Sequence, residues 1–158
     1  MTQLTHFDAA GRGRMVDVSG KETSLRIASA SGEIRMSHET LKHIQQGKLK
    51  KGDVLAVADV AAIMAAKKTA DIIPMCHPLM LSAVDVSFDT LKGDCGLKVG
   101  VTVQCNGKTG VEMEALTAVS TALLTIYDMC KAVDKNMQLG AIQLEQKTGG
   151  KSGDWCRR

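Results

Sequence analysis

The sequence predicts an α+β fold of the ferredoxin-like kind, a split βαβ (βαββαβ) antiparallel sheet with its helices on one face. Three observations predict it. The chain has 158 residues, which fits a single domain over 1–158. Segments 83–90 and 97–105 alternate apolar and polar residues on either side of a Lys-Gly-Asp turn, the pattern of a half-buried hairpin. Two long apolar segments, 54–68 and 111–133, flank that hairpin, and another strand-like segment follows at 138–146.

The first third of the chain predicts one strand of this sheet, together with an extra N-terminal strand and helix. Residues 1–13 are expected to form a flexible arm, and 15–18 the short extra strand. Residues 23–36 alternate loosely, which predicts a strand or a hairpin bent near 31–32. Ser37 can cap the extra helix, which ends before Gly47, and Asp53 can cap the helix over 54–68. That second helix is apolar nearly all round, so we expect it to be mostly buried.

The connection from this helix to the hairpin contains the only prolines of the chain, Pro74 and Pro78. They bracket Met75, Cys76 and His77. A residue before proline is pushed toward extended geometry, so the segment is predicted to be stiff and non-helical. After the helix over 111–133 and the strand over 138–146, the tail over 148–158 is rich in Gly and Lys and is expected to be a flexible arm.

Composition excludes several classes of protein. Aromatic residues make up only 3% of the chain, too few for a platform that stacks nucleic-acid bases. The net charge of +3 is too small for a duplex-binding surface, but it fits a basic pocket for an anionic small molecule. Five cysteines without a CxxC pair indicate a reduced, cytoplasmic protein with no zinc site. No signal peptide or membrane-spanning segment is recognisable.

Gly107-Lys108-Thr109 lies between a strand and a helix and invites comparison with a phosphate-binding P-loop. The P-loop pattern needs a further glycine five residues before Gly107, and Thr102 stands there instead. Residues 150–152 repeat the Gly-Lys-Ser fragment with no helix after them. Nucleotide binding of that type is therefore not expected.

The start of the long helix carries two carboxylates with two interpretations. Thr109 as N-cap with Glu112 three residues later forms a capping box, which explains Glu112 structurally. Glu114 is not needed for that box. A carboxylate pair at this position is also suited to the N–H edge of a guanine-like ring.

Near the other end of the long helix, Asp128 and Lys131 lie three residues apart and therefore on one face. One interpretation is a solvated ion pair. The other is a partly buried acid/base pair, because Asp128 ends a long apolar stretch and its neighbours Tyr127, Met129 and Cys130 are not surface-like.

Cys76-His77 could be a nucleophile with its base, or a pair of metal ligands. A buried cysteine beside a histidine at a loop rim is the simpler interpretation, because adjacent residues rarely face one another. Basic residues are scattered along the chain and would form a phosphate-binding pocket only if the fold gathered them. They include Arg26, Lys48, Lys50, Lys51, Lys67, Lys68, Lys108, Lys147 and Lys151.

At these residues the chain resembles the cyclic pyranopterin monophosphate synthase family, the molybdenum-cofactor biosynthesis protein C family. The matching strings are MVDVS at 15–19, KGDVLAVADVAAIMAAKKT at 51–69, IPMCHPLMLS at 73–82, GKTGVEMEALTAVSTALLTIYDMCKAVDK at 107–135 and KTGGKSGD at 147–154. The resemblance extends from Leu4 to about Asp154. The chain departs from the family pattern at Met75, where many members have leucine, and in the tail over 155–158.

The resemblance implies conversion of 3′,8-cyclo-7,8-dihydro-GTP to cyclic pyranopterin monophosphate with release of pyrophosphate. It also implies roles for individual residues. Asp128 matches an active-site aspartate, and Lys51 and Lys131 match lysines of acid/base steps. Among substrate-binding residues, Met75, Cys76 and His77 match the family's substrate-binding loop, and Met113 and Glu114 match its second contact. The matches to residues that hold the triphosphate are Arg26, Lys67 and Lys147, and the matches to pocket carboxylates are Asp17 and Glu112.

The resemblance further implies a homohexamer, a trimer of dimers, with active sites between subunits. The substrate would come from an upstream radical enzyme. No resident cofactor or metal is expected, although Mg²⁺ could accompany the triphosphate, and no nucleic-acid or membrane partner is expected. Two other functions stay as alternatives: an RNA-binding module, which the scarcity of aromatic residues disfavours, and a cysteine hydrolase that uses Cys76.

Overall fold

The computed structural model describes residues 11–47, 49, 52–93, 95–151 and 153–158. Its elements alternate as the sequence predicts, with a short third helix and a fifth strand added. In chain order they are β1 (Ser24–Arg35), α1 (His38–Gln45), α2 (Val54–Lys67), α3 (Thr69–Ile72), β2 (Leu81–Thr90), β3 (Gly96–Gly107), α4 (Glu112–Cys130), β4 (Gln138–Thr148) and β5 (Trp155–Cys156).

The five strands form one antiparallel sheet in the order β2-β3-β1-β4-β5. The first four strands with α2 and α4 have the βαββαβ connectivity, so the predicted fold class is confirmed. The extra strand predicted over 15–18 is wrong, because those residues have no strand structure. The sequence missed β5, which lies in the tail that we expected to be a flexible arm. None of the described helices is long and apolar enough to cross a membrane.

β1 is a single strand, not a hairpin bent at Ser31-Gly32. It lies at the centre of the sheet, between β3 and β4, and α4 packs across it. A Cβ at Gly32 would lie 2.8 Å from side-chain carbons of Val119 and Leu123 on α4. Glycine therefore permits the close approach of helix and strand here, and it does not mark a turn.

α2 and α4 pack against each other through small side chains. Ala58, Ala62 and Ala66 on α2 are buried, as are Ala118 and Ala122 on α4. Such residues allow two helix backbones to approach closely. The predicted caps of α1 and α2 are confirmed: the Ser37 and Asp53 side chains accept hydrogen bonds from backbone N–H groups of the first turn.

The outer face of α2 corrects the expectation that this helix is mostly buried. Val57, Val60 and Met64 are exposed at 45–60% of their surface. Leu124 on α4 is also 60% exposed. One apolar stripe on each helix suffices to cover the sheet, so the second stripe stays uncovered in the single chain.

Candidate active site

Two adjoining cavities lie where the ends of three strands meet the start of α4. The end of β3 pairs with the start of β1, with Gly107 opposite Ser24. The end of β4 pairs with the same part of β1, with Thr148 opposite Ile27. The larger cavity has a volume of about 680 Å³ and the smaller about 260 Å³. Both are lined by Lys21, Thr109, Gly110 and Glu112.

Five of the residues that line the larger cavity have cationic side chains. They are Lys21, Arg26, Lys108, Lys147 and Lys151, with Glu112 as the carboxylate. Positive charges gathered in this way attract an anion strongly, because the low-dielectric walls focus their field. A guanidinium and several ammonium groups are also the usual donors to phosphate oxygens. The fold therefore gathers scattered basic residues into a site suited to a polyphosphate.

Arg26 is the most deeply placed of these cations and is only 9% exposed. It lies on β1 opposite Cys105, and its Nε donates to the backbone carbonyl of Gly107 at 3.2 Å. A buried guanidinium needs such partners, because an unpaired charge is costly to desolvate. The pairing of β1 with β3 therefore holds Arg26 in the wall of the larger cavity, beside the ends of these strands.

The capping box predicted for Thr109 and Glu112 is wrong. α4 has Val111 at its N-cap position, and no side chain caps it. The Glu112 carboxylate instead forms an ion pair with Lys147 of β4, with 3.0 Å between Oε1 and Nζ. A Cβ at Gly110 would overlap the Glu112 carboxylate, so glycine there leaves the space that this pair occupies. Glu112 is therefore a wall residue of both cavities.

The smaller cavity brings together the predicted loop and the predicted second contact. Met75, Cys76 and His77 line one side, and Met113 and Glu114 at the start of α4 line the other. The loop between α3 and β2 is non-helical, as the two prolines predicted. His77 and Met113 are 36 positions apart in the sequence, yet all five residues line one cavity.

Glu114 is only 4% exposed. Burial raises the pKa of its carboxyl, and the nearby Glu112 charge raises it further. Burial likewise raises the pKa of the Cys76 thiol, with Glu114 adding to the effect. A thiol with a raised pKa is a poor nucleophile near neutral pH. The cavity thus favours Glu114 as a group that holds or donates a proton, and it disfavours attack by Cys76.

A segment before β1 closes one wall of the smaller cavity through Val16 and Val18. The ring Nε2 of His77 is hydrogen-bonded to the Val16 carbonyl at 2.8 Å, and Lys108 Nζ donates to the Ser19 carbonyl at 2.6 Å. Asp17 lines neither cavity. Its carboxylate accepts a hydrogen bond from the Ser19 backbone N–H, which lowers the pKa of Asp17. Asp17 therefore holds the shape of this segment within the single chain.

The remaining predicted residues lie elsewhere. Lys67 is exposed at the last position of α2 and lines neither cavity. Lys51 lies outside the described residues. Asp128 and Lys131 lie near the far end of α4: sixteen residues separate Asp128 from Glu112, about 24 Å at 1.5 Å per residue. One chain therefore does not bring Asp128 and Lys131 to the two cavities.

The Asp128–Lys131 pair itself is present, with 2.6 Å between Lys131 Nζ and Asp128 Oδ1. The prediction that it is partly buried is wrong for the single chain, because the Asp128 and Lys131 side chains are 59% and 52% exposed. The hydrogen bond and charge of Asp128 raise the pKa of Lys131. In this chain alone Lys131 is therefore a protonated acid rather than a neutral base.

Sequence reasoning missed several wall residues. Lys21 and Gly149 were not considered, and Lys108 and Lys151 were weighed only as parts of incomplete P-loop patterns and as scattered charges. Lys151 stands in a Gly-Gly-Lys string, which could have indicated a wall residue. That signal was overlooked because the tail was expected to be a flexible arm. Among the described residues, no group of three or more His, Cys, Asp and Glu side chains is arranged to hold a metal ion.

Comparisons with known proteins agree on one family. A family model described as the MoaC family matches residues 15–150. The chain is 58% identical over 155 residues to a protein of Brevibacillus brevis named cyclic pyranopterin monophosphate synthase, covering 98% of this chain and 96% of the relative. Two further relatives have the same name. The one from Chloroflexus aurantiacus is 60% identical over 98% of this chain and 95% of the relative. The one from Lysinibacillus sphaericus is 57% identical over 100% of both chains.

Proposed function

The chain belongs to the MoaC family, and from that premise we propose how its two cavities take part in the reaction. It is an enzyme of molybdenum cofactor biosynthesis that acts as a cyclic pyranopterin monophosphate synthase. We propose that its substrate is 3′,8-cyclo-7,8-dihydro-GTP and that pyrophosphate is released. The observation that carries the proposal is the shared wall between a cationic cavity and a cavity with a buried carboxylate.

The larger cavity holds the triphosphate in this proposal. Arg26 and Lys147 are the predicted phosphate ligands that line it, and Lys21, Lys108 and Lys151 add charge. Forming the cyclic phosphate displaces pyrophosphate, so negative charge develops on the leaving group. Cations fixed in advance around that group stabilise the transition state more than the ground state.

The smaller cavity holds the ring that derives from guanine. Glu114 faces it as a buried carboxyl, with Met113 from α4 and Met75 from the loop as apolar neighbours. A carboxyl next to the N–H edge of such a ring pairs with it and can exchange a proton with it. Cys76 and His77 shape the opposite side of the cavity, and the hydrogen bond of His77 to the Val16 carbonyl holds that loop in place.

Asp128, Lys131 and Lys51 are the acid/base groups in this proposal, and Asp128 and Lys131 reach the substrate from a second subunit. Two observations support an oligomer: the distance along α4 between Asp128 and the cavities, and the exposed apolar stripe of Val57, Val60 and Met64. We therefore propose a homohexamer, a trimer of dimers, with each site built from at least two chains. Lys67 at the end of α2 and Asp17 would join the site across the same interface.

The pocket chemistry needs no resident cofactor in this proposal, since proton transfer and charge stabilisation suffice for the ring rearrangement and the displacement. Mg²⁺ would arrive only with the triphosphate. The five cysteines form no disulfide, which fits a reduced compartment, and we propose the cytoplasm.

The deciding experiment mixes the purified protein with the cyclised GTP intermediate and follows two products, the pterin by fluorescence after oxidation and the pyrophosphate by a coupled assay. We expect both products in equal amounts. A Glu114→Gln variant should retain substrate binding and lose turnover. Formation of pterin without pyrophosphate, or turnover of GTP itself, would contradict the proposed reaction.

A further inference from the structure

The C-terminal segment folds back as a hairpin beside the cationic cavity. β4 pairs with β5, with Gln146 opposite Cys156 and Lys147 opposite Trp155. The turn between them, here 149–151 and 153–154, is closed by two hydrogen bonds. Gly149 N–H donates to Asp154 Oδ1 at 3.0 Å, and Gly153 N–H donates to the Gly150 carbonyl at 3.0 Å. We call β4, β5 and this turn the C-terminal hairpin.

The open end of the C-terminal hairpin is fastened by Arg157. Its backbone N–H donates to the Glu145 carbonyl and its Nε to the Leu144 carbonyl, each at 2.8 Å. The same guanidinium lies 5.8 Å from the ring centroid of Trp155. A two-residue strand has little pairing energy of its own, so these contacts hold it against β4.

The turn of the C-terminal hairpin contacts the Arg26 side chain. Gly150 has a φ of +84°, and a Cβ there would overlap Nη1 of the Arg26 guanidinium. Gly149 has a φ of +87°, and a Cβ there would overlap the Leu25 carbonyl. A side chain fits at neither position. The Gly150 backbone is therefore in direct contact with the Arg26 head group.

Arg26 is confined from two directions. On one side its Nε donates to the Gly107 carbonyl, and on the other its Nη1 packs against Gly150. Arginine has a large side-chain entropy in solution, and fixing it before the ligand arrives removes that cost from binding. A guanidinium fixed in orientation also keeps its planar fork aligned for phosphate oxygens.

We propose that the C-terminal hairpin positions Arg26 for the phosphate groups of the substrate, with Gly150 as the positioning residue. The proposal rests on the proposed function for the identity of the polyphosphate. It assigns to Gly150 no contact with the substrate. Its effect is exerted through the orientation of Arg26, and it should alter phosphate binding before it alters the chemistry of the ring.

The test compares Gly150→Ala with Gly153→Ala. Both glycines lie in the same turn with positive φ, +84° and +68°, so alanine strains the backbone at both. Only at Gly150 does the new Cβ meet another group, since nothing lies within 4 Å of a Cβ at Gly153. Inorganic tripolyphosphate is the probe, and its affinity is measured by calorimetry on the full-length protein at fixed salt.

We expect Gly150→Ala to weaken tripolyphosphate binding about tenfold, the usual order for a misplaced charge-assisted contact. Gly153→Ala should stay within about twofold of the wild type. In turnover assays Gly150→Ala should raise KM with a smaller change in kcat, which a general loss of structure would not produce. Equal weakening in the two variants would overturn the proposal.

A double-mutant cycle separates positioning from direct structural damage. In an Arg26→Ala background Gly150→Ala should have no further effect on tripolyphosphate affinity, because the group that it positions is absent. The same tenfold loss in that background would contradict the role assigned to Gly150.

A second pair of variants applies if Gly150→Ala does not fold. Asp154→Ala removes the acceptor for Gly149 N–H, whereas Asp154→Asn keeps an acceptor oxygen. Both remove the same negative charge, so their difference isolates the hydrogen bond. We expect weaker tripolyphosphate binding with alanine than with asparagine, and equal affinities would overturn the proposal. Because tripolyphosphate binding needs no turnover, an inactive wild type would refute the proposed reaction without touching this result.

Discussion

The two ends of α4 carry carboxylates in contrasting surroundings. At the first turn Glu112 pairs with Lys147 of β4, and Glu114 is buried beside Cys76. In the last turn Asp128 forms an ion pair with Lys131, and both side chains are more than half exposed. The first end is completed by strands of the same chain. The second end offers charged groups on an open surface.

This difference shows which pKa shifts the fold of a single chain can produce. Burial raises the pKa of Glu114 because the fold itself removes water from it. At Lys131 the hydrogen bond that its Nζ donates to Asp128 raises the pKa, and slight desolvation lowers that pKa by less. An acid/base lysine near neutral pH needs desolvation, which the proposed second subunit would supply. In the proposed oligomer the two ends would form a binding half and a chemical half of one site.

The largest effect should come from the exposed end. Asp128→Ala and Lys131→Ala should each lower kcat by roughly 10²–10⁴, the usual cost of removing a general acid or base. Each variant should still fold, because within one chain both side chains are more than half exposed and such ion pairs contribute little to the stability of the fold. Lys42→Ala, an exposed lysine on α1, is the matched control. Near-native turnover in both variants would remove the chemical role from this end of α4.

A mixing experiment asks whether the two ends belong to different chains at one site. Glu114→Gln and Lys131→Ala should each be nearly inactive alone. After subunit exchange, random pairing would restore about a quarter of wild-type activity if each site takes one residue from each of two subunits. Native mass spectrometry confirms that mixed oligomers have formed. Mixed oligomers without any recovered activity would show that the two residues act from the same chain.

The buried end should reveal itself in the pH dependence of stability. The folded-state pKa of Glu114 is raised above its unfolded value, so the folded protein binds more protons and loses stability as pH rises past about 4.5. The Glu114→Gln variant has no carboxyl to ionise at this position, so it should not lose this stability as the pH rises. Denaturant titrations at pH 5 and pH 8 should therefore show the variant gaining stability relative to wild type at the higher pH. Glu39→Gln, on the exposed side of α1, should show no such gain.

The smallest loss of activity is expected from substitution of Cys76, which lines the same cavity as Glu114. Cys76→Ser should retain activity within about tenfold, because a raised thiol pKa disfavours a nucleophilic role. Intact-mass measurements during turnover should show no adduct on the wild type. A trapped covalent intermediate on Cys76, together with an inactive but folded serine variant, would restore the hydrolase alternative.

Local sequence patterns predicted most of the fold. Alternation predicted β2 and β3, the cap residues Ser37 and Asp53 located the starts of α1 and α2, and Pro74 and Pro78 marked the irregular loop. These signals are local, since each depends on residues within one turn or one strand. The sequence was undecided or wrong where a distant partner determined the structure. Around Gly32 it left a strand and a bent hairpin open, and the strand forms with α4 packed closely on Gly32. The tail was expected to be a flexible arm, but it pairs with β4, and Arg157 N–H donates to the Glu145 carbonyl.

The site divides in the same way. The sequence by itself determined the residue types, the family strings and hence the activity, because motif identity survives without coordinates. It also identified Asp128 and Lys131 as neighbours, since helical spacing is a local property. Only the tertiary structure decided that Glu112 pairs with Lys147 and not with the helix N-cap, that Lys21, Lys108 and Lys151 join Arg26, and that the pair at 128 and 131 is exposed. The physical reason is that charge partners and burial depend on which strands lie side by side, and strand pairing between distant segments leaves no mark in local sequence.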